Sequence, residues 1–114
     1  METYYYHPVE KFQVWPVQTY CYNHPRHKYQ ISFADGRTYI ATFEDAYDSD
    51  NSGELDIEME DPRYDEFHQI VFRVTNRKEA NKTRIYNNFL SIDYRDFPQE
   101  IKDMDANHIV YIQS

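Results

Sequence analysis

The sequence predicts a small, mainly β domain. Five to six antiparallel strands and one short helix either close into a barrel or form an open sheet covered by that helix. Three observations carry this. Residues 28–34 alternate, with Tyr29, Ile31 and Phe33 on one face, as a half-buried strand does. Asp35-Gly36 follows, the strongest short hairpin signal. The alternation then resumes through Tyr39, Ala41 and Phe43, so residues 28–45 read as a hairpin. Finally, β-branched and aromatic residues crowd the segments 67–74, 87–94 and 108–113.

The other elements follow in chain order. Residues 17–22 read as an extra strand, and Pro8, Pro16 and Pro25 around it suit edge or turn geometry. In 67–74, Ile70, Phe72 and Val74 alternate, which favours strand over helix. In 87–94, Leu90, Ile92 and Tyr94 share one face against Ser91 and Asp93. Residues 96–102 read as a short helix, with Asp96 as N-cap and Pro98 in the first turn. Residues 108–113 make a short apolar strand. Tyr29, Tyr39 and Tyr94 are expected in the core. This order resembles the five-stranded small barrels of the SH3 or Sm kind. The resemblance is one of element order, so it implies a fold and no functional residue. With 114 residues, no repeat and no linker, 1–114 reads as one domain.

Composition narrows the function classes. Twelve Lys and Arg against twenty Asp and Glu give a formal charge of -8. Direct nucleic-acid binding is not expected, because its affinity comes from neutralising phosphates with basic residues. A polybasic membrane patch is missing, and no apolar run approaches a membrane span, so no membrane partner is expected. Two glycines cannot build a Gly-rich phosphate cradle. Residues 1–8 show neither a basic nor an apolar signal region, and the single Cys21 cannot form an internal disulfide. Both suggest a reducing, cytoplasmic setting. The sequon at Asn81-Lys82-Thr83 is then a plain surface tripeptide.

The charge is concentrated. From Glu44 to Glu66 eleven acids face one base, Arg63, a local charge of -10; the remainder carries nine acids and eleven bases, or +2. A weakly basic stretch, with Arg77, Lys78, Lys82 and Arg84, lies from Arg73 to Arg84. An acidic run can serve solubility alone. Here Leu55, Ile57, Met59, Tyr47 and Tyr64 are interleaved with the acids, which a purely solvating segment would lack. Tyrosine suits interfaces because it offers a large contact area with few rotors and a polar tip.

Asp48-Ser49-Asp50-Asn51-Ser52-Gly53-Glu54-Leu55-Asp56 resembles the EF-hand calcium loop. The resemblance places oxygen ligands at Asp48, Asp50, Ser52 and Asp56, with Gly53 at the sharp turn. It fails at the twelfth position, which is Met59 where the family has a bidentate Glu, and Pro62 interrupts the helix that should follow. Cys21, His24, His27 and His7 could supply zinc ligands, but a single Cys and the intervening Pro25 argue for plain surface histidines. Cys21 and His24, three apart on a strand, would point to opposite faces and make a poor nucleophile pair. No carboxylate pair stands out for acid–base work. No enzyme and no cofactor are expected.

The expected function is a small acidic inhibitor that masks the basic, nucleic-acid-binding surface of a partner protein. In class this is similar to immunity proteins of nuclease toxins and to phage inhibitors of CRISPR effectors. Acids beside aromatic anchors steer such a partner in and occupy the place of its nucleic acid. The expected contact residues are Tyr47, Asp48, Asp50, Glu54, Asp56, Glu58, Glu60, Asp61 and Tyr64. Two alternatives stand beside it: a calcium-binding module using residues 48–59, and a small-barrel adaptor that grips Pro-rich peptides with Tyr and Trp15.

Overall fold

Among the described residues, seven antiparallel strands form one sheet in the order β4-β5-β3-β2-β1-β6-β7. They are β1 (Lys28–Ser32), β2 (Thr38–Asp50), β3 (Glu66–Val74), β4 (Ile85–Tyr86), β5 (Phe89–Ile92), β6 (Glu100–Asp103) and β7 (His108–Ile112). One helix, α1 (Val14–Asn23), lies on one face, and a single helical turn, α2 (Ser52–Leu55), caps the β2–β3 connection. These elements come from a computed structural model that describes residues 6–75 and 84–113. Tyr4 and Tyr5, the sequon at 81–83, and Arg77, Lys78 and Lys82 lie outside the described residues.

The hairpin at 28–45 is present. Tyr29 pairs with Ala41 and Ile31 with Tyr39, and Gly36 takes φ 90° in the turn, where a Cβ would be strained. The hairpin runs further than expected. After a bulge between Phe43 and Asp45, β2 continues to Asp50 against β3. The first third of the acidic segment is therefore strand, and the connection proper spans only 51–65.

Three expectations need correction. The sheet is open: β4 and β7 are its two ends among the described residues, and the apolar face is closed by α1 instead of by curling into a barrel. Residues 17–22 are helix. Val14, Val17 and Cys21 fall three and four apart and are all fully buried against the sheet. Pro16 sits in the first turn, where no intrahelical donor is needed. Residues 96–102 are not a helix. A 3₁₀ turn at Tyr94–Asp96 is capped by Asp93, whose carboxylate accepts from the Arg95 N–H. Glu100–Asp103 is strand β6, which places Ile101 opposite Ile31 in the core. Asn87 and Asn88 both take positive φ, 51° and 73°, and make the two-residue turn of the β4–β5 hairpin.

The core packs Val14, Val17 and Cys21 of α1 onto Tyr29, Ile31, Tyr39, Ile70, Phe72, Leu90, Ile92 and Ile101. Tyr29 and Tyr39 are fully buried as expected; Tyr94 is half-buried, stacked on His7 at 3.9 Å. Two fully buried carboxylates fasten the ends. Glu10, in the 3₁₀ turn Pro8–Lys11, accepts from the backbone N–H of Tyr6, His7 and His68 at 2.7–3.0 Å. Asp103 accepts from Tyr20 Oη at 2.7 Å, His27 Nδ1 at 2.6 Å and the N–H groups of Asp105 and Ala106. Burial alone would push the Asp103 carboxyl up; these donors outweigh it and hold the group down at about 2.

Candidate functional site

The eleven acids of the segment divide by what they touch. Glu44 pairs with Arg73, Asp48 with His68, Glu54 with Arg95, Asp61 with Arg63 and Asp65 with His7. Asp50 caps Ser52 and receives the Tyr64 hydroxyl at 3.4 Å; the Ser52 hydrogen bonds hold its carboxyl below the usual range. Glu66 sits beside the same tyrosine hydroxyl. Asp45, Asp56, Glu58 and Glu60 remain, all exposed and without an ion pair among the described residues. Arginine thus answers three of the eleven acids, histidine or hydroxyl partners hold four more in place, and four face solvent without an ion pair among the described residues.

Three of those four crown the β2–β3 connection. Its base is fixed by Asn51, only 8% exposed, whose side chain donates to the Arg63 carbonyl and accepts from the Asp65 N–H, each at 2.8 Å. α2 rises from this base and ends at Asp56, which takes φ 53°, a left-handed cap that Asp tolerates. The Ile57 N–H returns to the Ser52 carbonyl at 3.1 Å. Beyond it, Leu55 is 44% and Met59 68% exposed, between the carboxylates of Asp56, Glu58 and Glu60. The result is a pinned turn with an acidic and apolar tip.

The fourth acid lies on the sheet face away from α1. There Asp45, Val71 and Ser91 stand side by side across β2, β3 and β5. Together with Glu44, Tyr47, Tyr86, Asn87 and Phe89 they line a groove of about 450 Å³. Tyr47, expected at the partner surface, forms part of its wall and accepts from Gln69 Nε2 at 3.2 Å. Tyr86 and Phe89 were not singled out by sequence. They come from a distant hairpin, and their spacing carries no sign of the partners that strand register brings them.

The remaining expected site residues are more internal. Asp48 stands opposite His68 in the β2–β3 ladder and receives the Tyr6 hydroxyl. Tyr64 is half-buried. Asp48, Asp50 and Asp56 do not gather their oxygens into a ligand-sized group; among the described residues only His27, Asp103 and Asp105 do, within 4.8 Å. In that trio, both Asp103 oxygens already serve the four donors named above. Of the proposed zinc set, His24 and His27 lie 5.0 Å apart, but His7 is at the other end, beside Asp65. Cys21 is fully buried, and that burial pushes its thiol up to about 12, which leaves it a poor nucleophile.

No helix among the described residues is long and apolar enough to cross a membrane. No protein-family model matches the chain, and neither does any curated protein or solved structure.

Proposed function

We propose that this chain is a binding protein, not an enzyme, and that it docks the pinned tip at 55–60 onto a basic protein surface. The observation that carries the reading is the tip itself: Asp56, Glu58 and Glu60 without ion pairs among the described residues, around exposed Leu55 and Met59, on a hydrogen-bonded base. The carboxylates supply steering and the apolar groups supply contact area. A pinned turn also loses little conformational freedom on binding. In its finer form, the partner handles nucleic acid in the cytoplasm, and the tip competes for its phosphate-binding surface.

The test is capture from cell extract at about 50 mM and about 500 mM salt, where screening differs strongly. The intact chain should enrich basic nucleic-acid-binding proteins at low salt, and added nucleic acid should displace them. The triple variant Asp56→Asn, Glu58→Gln, Glu60→Gln should lose them. Equal capture by the triple variant would refute the reading.

A further inference from the structure

Among the described residues one device recurs three times: a guanidinium laid on a phenylalanine ring and paired with carboxylate. Arg84 lies 3.8 Å from the Phe33 centroid, with Asp96 at 2.6 Å and Asp35 at 3.0 Å. Arg95 lies 4.0 Å from the Phe67 centroid, with Asp93 at 2.9 Å and Glu54 at 3.1 Å. Arg73 lies 4.9 Å from the Phe89 centroid and 3.3 Å from Glu44. In each, the negative ring face and the carboxylate hold the same cation.

The groove on the outer sheet face contains the parts of a fourth. Tyr47 and Tyr86 supply rings, 48% and 80% exposed, and Asp45 supplies a carboxylate that makes no ion pair among the described residues. Val71 gives an apolar floor for an aliphatic stem. Glu44 and Phe89, which line the groove, are the two partners of Arg73 in the third set, so a guanidinium is already held at its border.

We infer that this groove receives an arginine side chain from the basic partner, its guanidinium against Tyr47 and Tyr86 and paired with Asp45. This rests on the proposed function and adds a second, stereospecific contact to the tip. Arginine fits better than lysine because its planar fork stacks on a ring and pairs with a carboxylate at once.

The experiment titrates the full, isotope-labelled chain with Nα-acetylarginine amide and, separately, with its neutral isostere Nα-acetylcitrulline amide, followed by NMR. The arginine probe should shift Asp45, Tyr47, Val71, Tyr86 and Ser91 saturably. Asp45→Asn and Tyr86→Leu, both at exposed positions, should each weaken it about threefold, the size of one exposed cation–aromatic or ion-pair contact. The triple variant of the tip should bind the probe as the intact chain does. Equal binding of the citrulline probe, or shifts confined to 55–60, would overturn the inference. If Asp45→Asn and Tyr86→Leu leave extract capture unchanged while the tip variant abolishes it, the groove assignment falls and the tip reading stands. If the arginine titration succeeds and the tip variant captures normally, the groove stands and the tip reading falls.

Discussion

Asp103 and Glu58 are both carboxylates on a chain of net charge -8, yet they do opposite work. Asp103 is fully buried and answers four donors; Glu58 is exposed and pairs with nothing among the described residues. The first fastens α1 and the β6–β7 turn to β1. The second adds nothing to the fold and leaves its full charge to solvent. Net charge alone hides this division, since both count as minus one. What decides an acid's role here is how many donors the fold has brought to it.

The largest effect should come from deleting a buried carboxylate. Asp103→Ala strands the Tyr20 hydroxyl, His27 and two backbone N–H groups, and should cost about 3 kcal/mol or more in urea unfolding. Glu10→Ala, which frees three N–H groups, should cost about as much.

Next in size is a pH effect at the same place. The Asp103 carboxyl sits at about 2 when folded, below its ordinary unfolded value near 3.8. A depressed carboxylate stabilises above the unfolded value and loses that contribution as pH falls through the folded one. Stability should therefore drop by on the order of 2 kcal/mol between about pH 5 and pH 2, and Asp103→Asn should flatten that limb. A limb of equal steepness in the variant would assign the acid sensitivity elsewhere.

A smaller cost is expected at Arg95→Ala, about 1–2 kcal/mol. The change uncovers Phe67, which is only 1% exposed, and removes partners of Glu54 and Asp93. The smallest should come from the tip. Asp56→Asn, Glu58→Gln and Glu60→Gln together should move stability by less than about 0.5 kcal/mol, because each is exposed and without an ion pair among the described residues.

The same division explains what the sequence made legible. The 28–45 hairpin was readable because its alternation and its Asp-Gly turn agree. The α1 spacing of Val14, Val17 and Cys21 was present in the sequence, but Pro8, Pro16 and Pro25 suited edge or turn geometry and masked it. Glu100–Asp103 was too short for a period to show, and its strand state is set by pairing with β1. Acids crowd 44–50, yet a strand accepts them when a residue such as His68 stands opposite. At the candidate site, the tip was readable from Leu55 and Met59 among acids. The pairing of Glu54, Asp48 and Asp61 was not, because Arg95 arrives from the 3₁₀ turn after β5, His68 from β3, and Arg63 reaches back within the connection. The groove was hidden for the same reason.

The most direct test of the account compares two triple neutralisations against one captured basic partner at low salt. One set removes the tip acids, Asp56→Asn, Glu58→Gln and Glu60→Gln. The other removes three paired acids, Asp35→Asn, Glu54→Gln and Asp61→Asn, and changes the net charge by the same amount. The account predicts about tenfold weaker binding for the tip set, near 0.5 kcal/mol per exposed charge, and less than about threefold for the paired set. Equal losses would show that net charge, and not the unpaired tip, carries recognition.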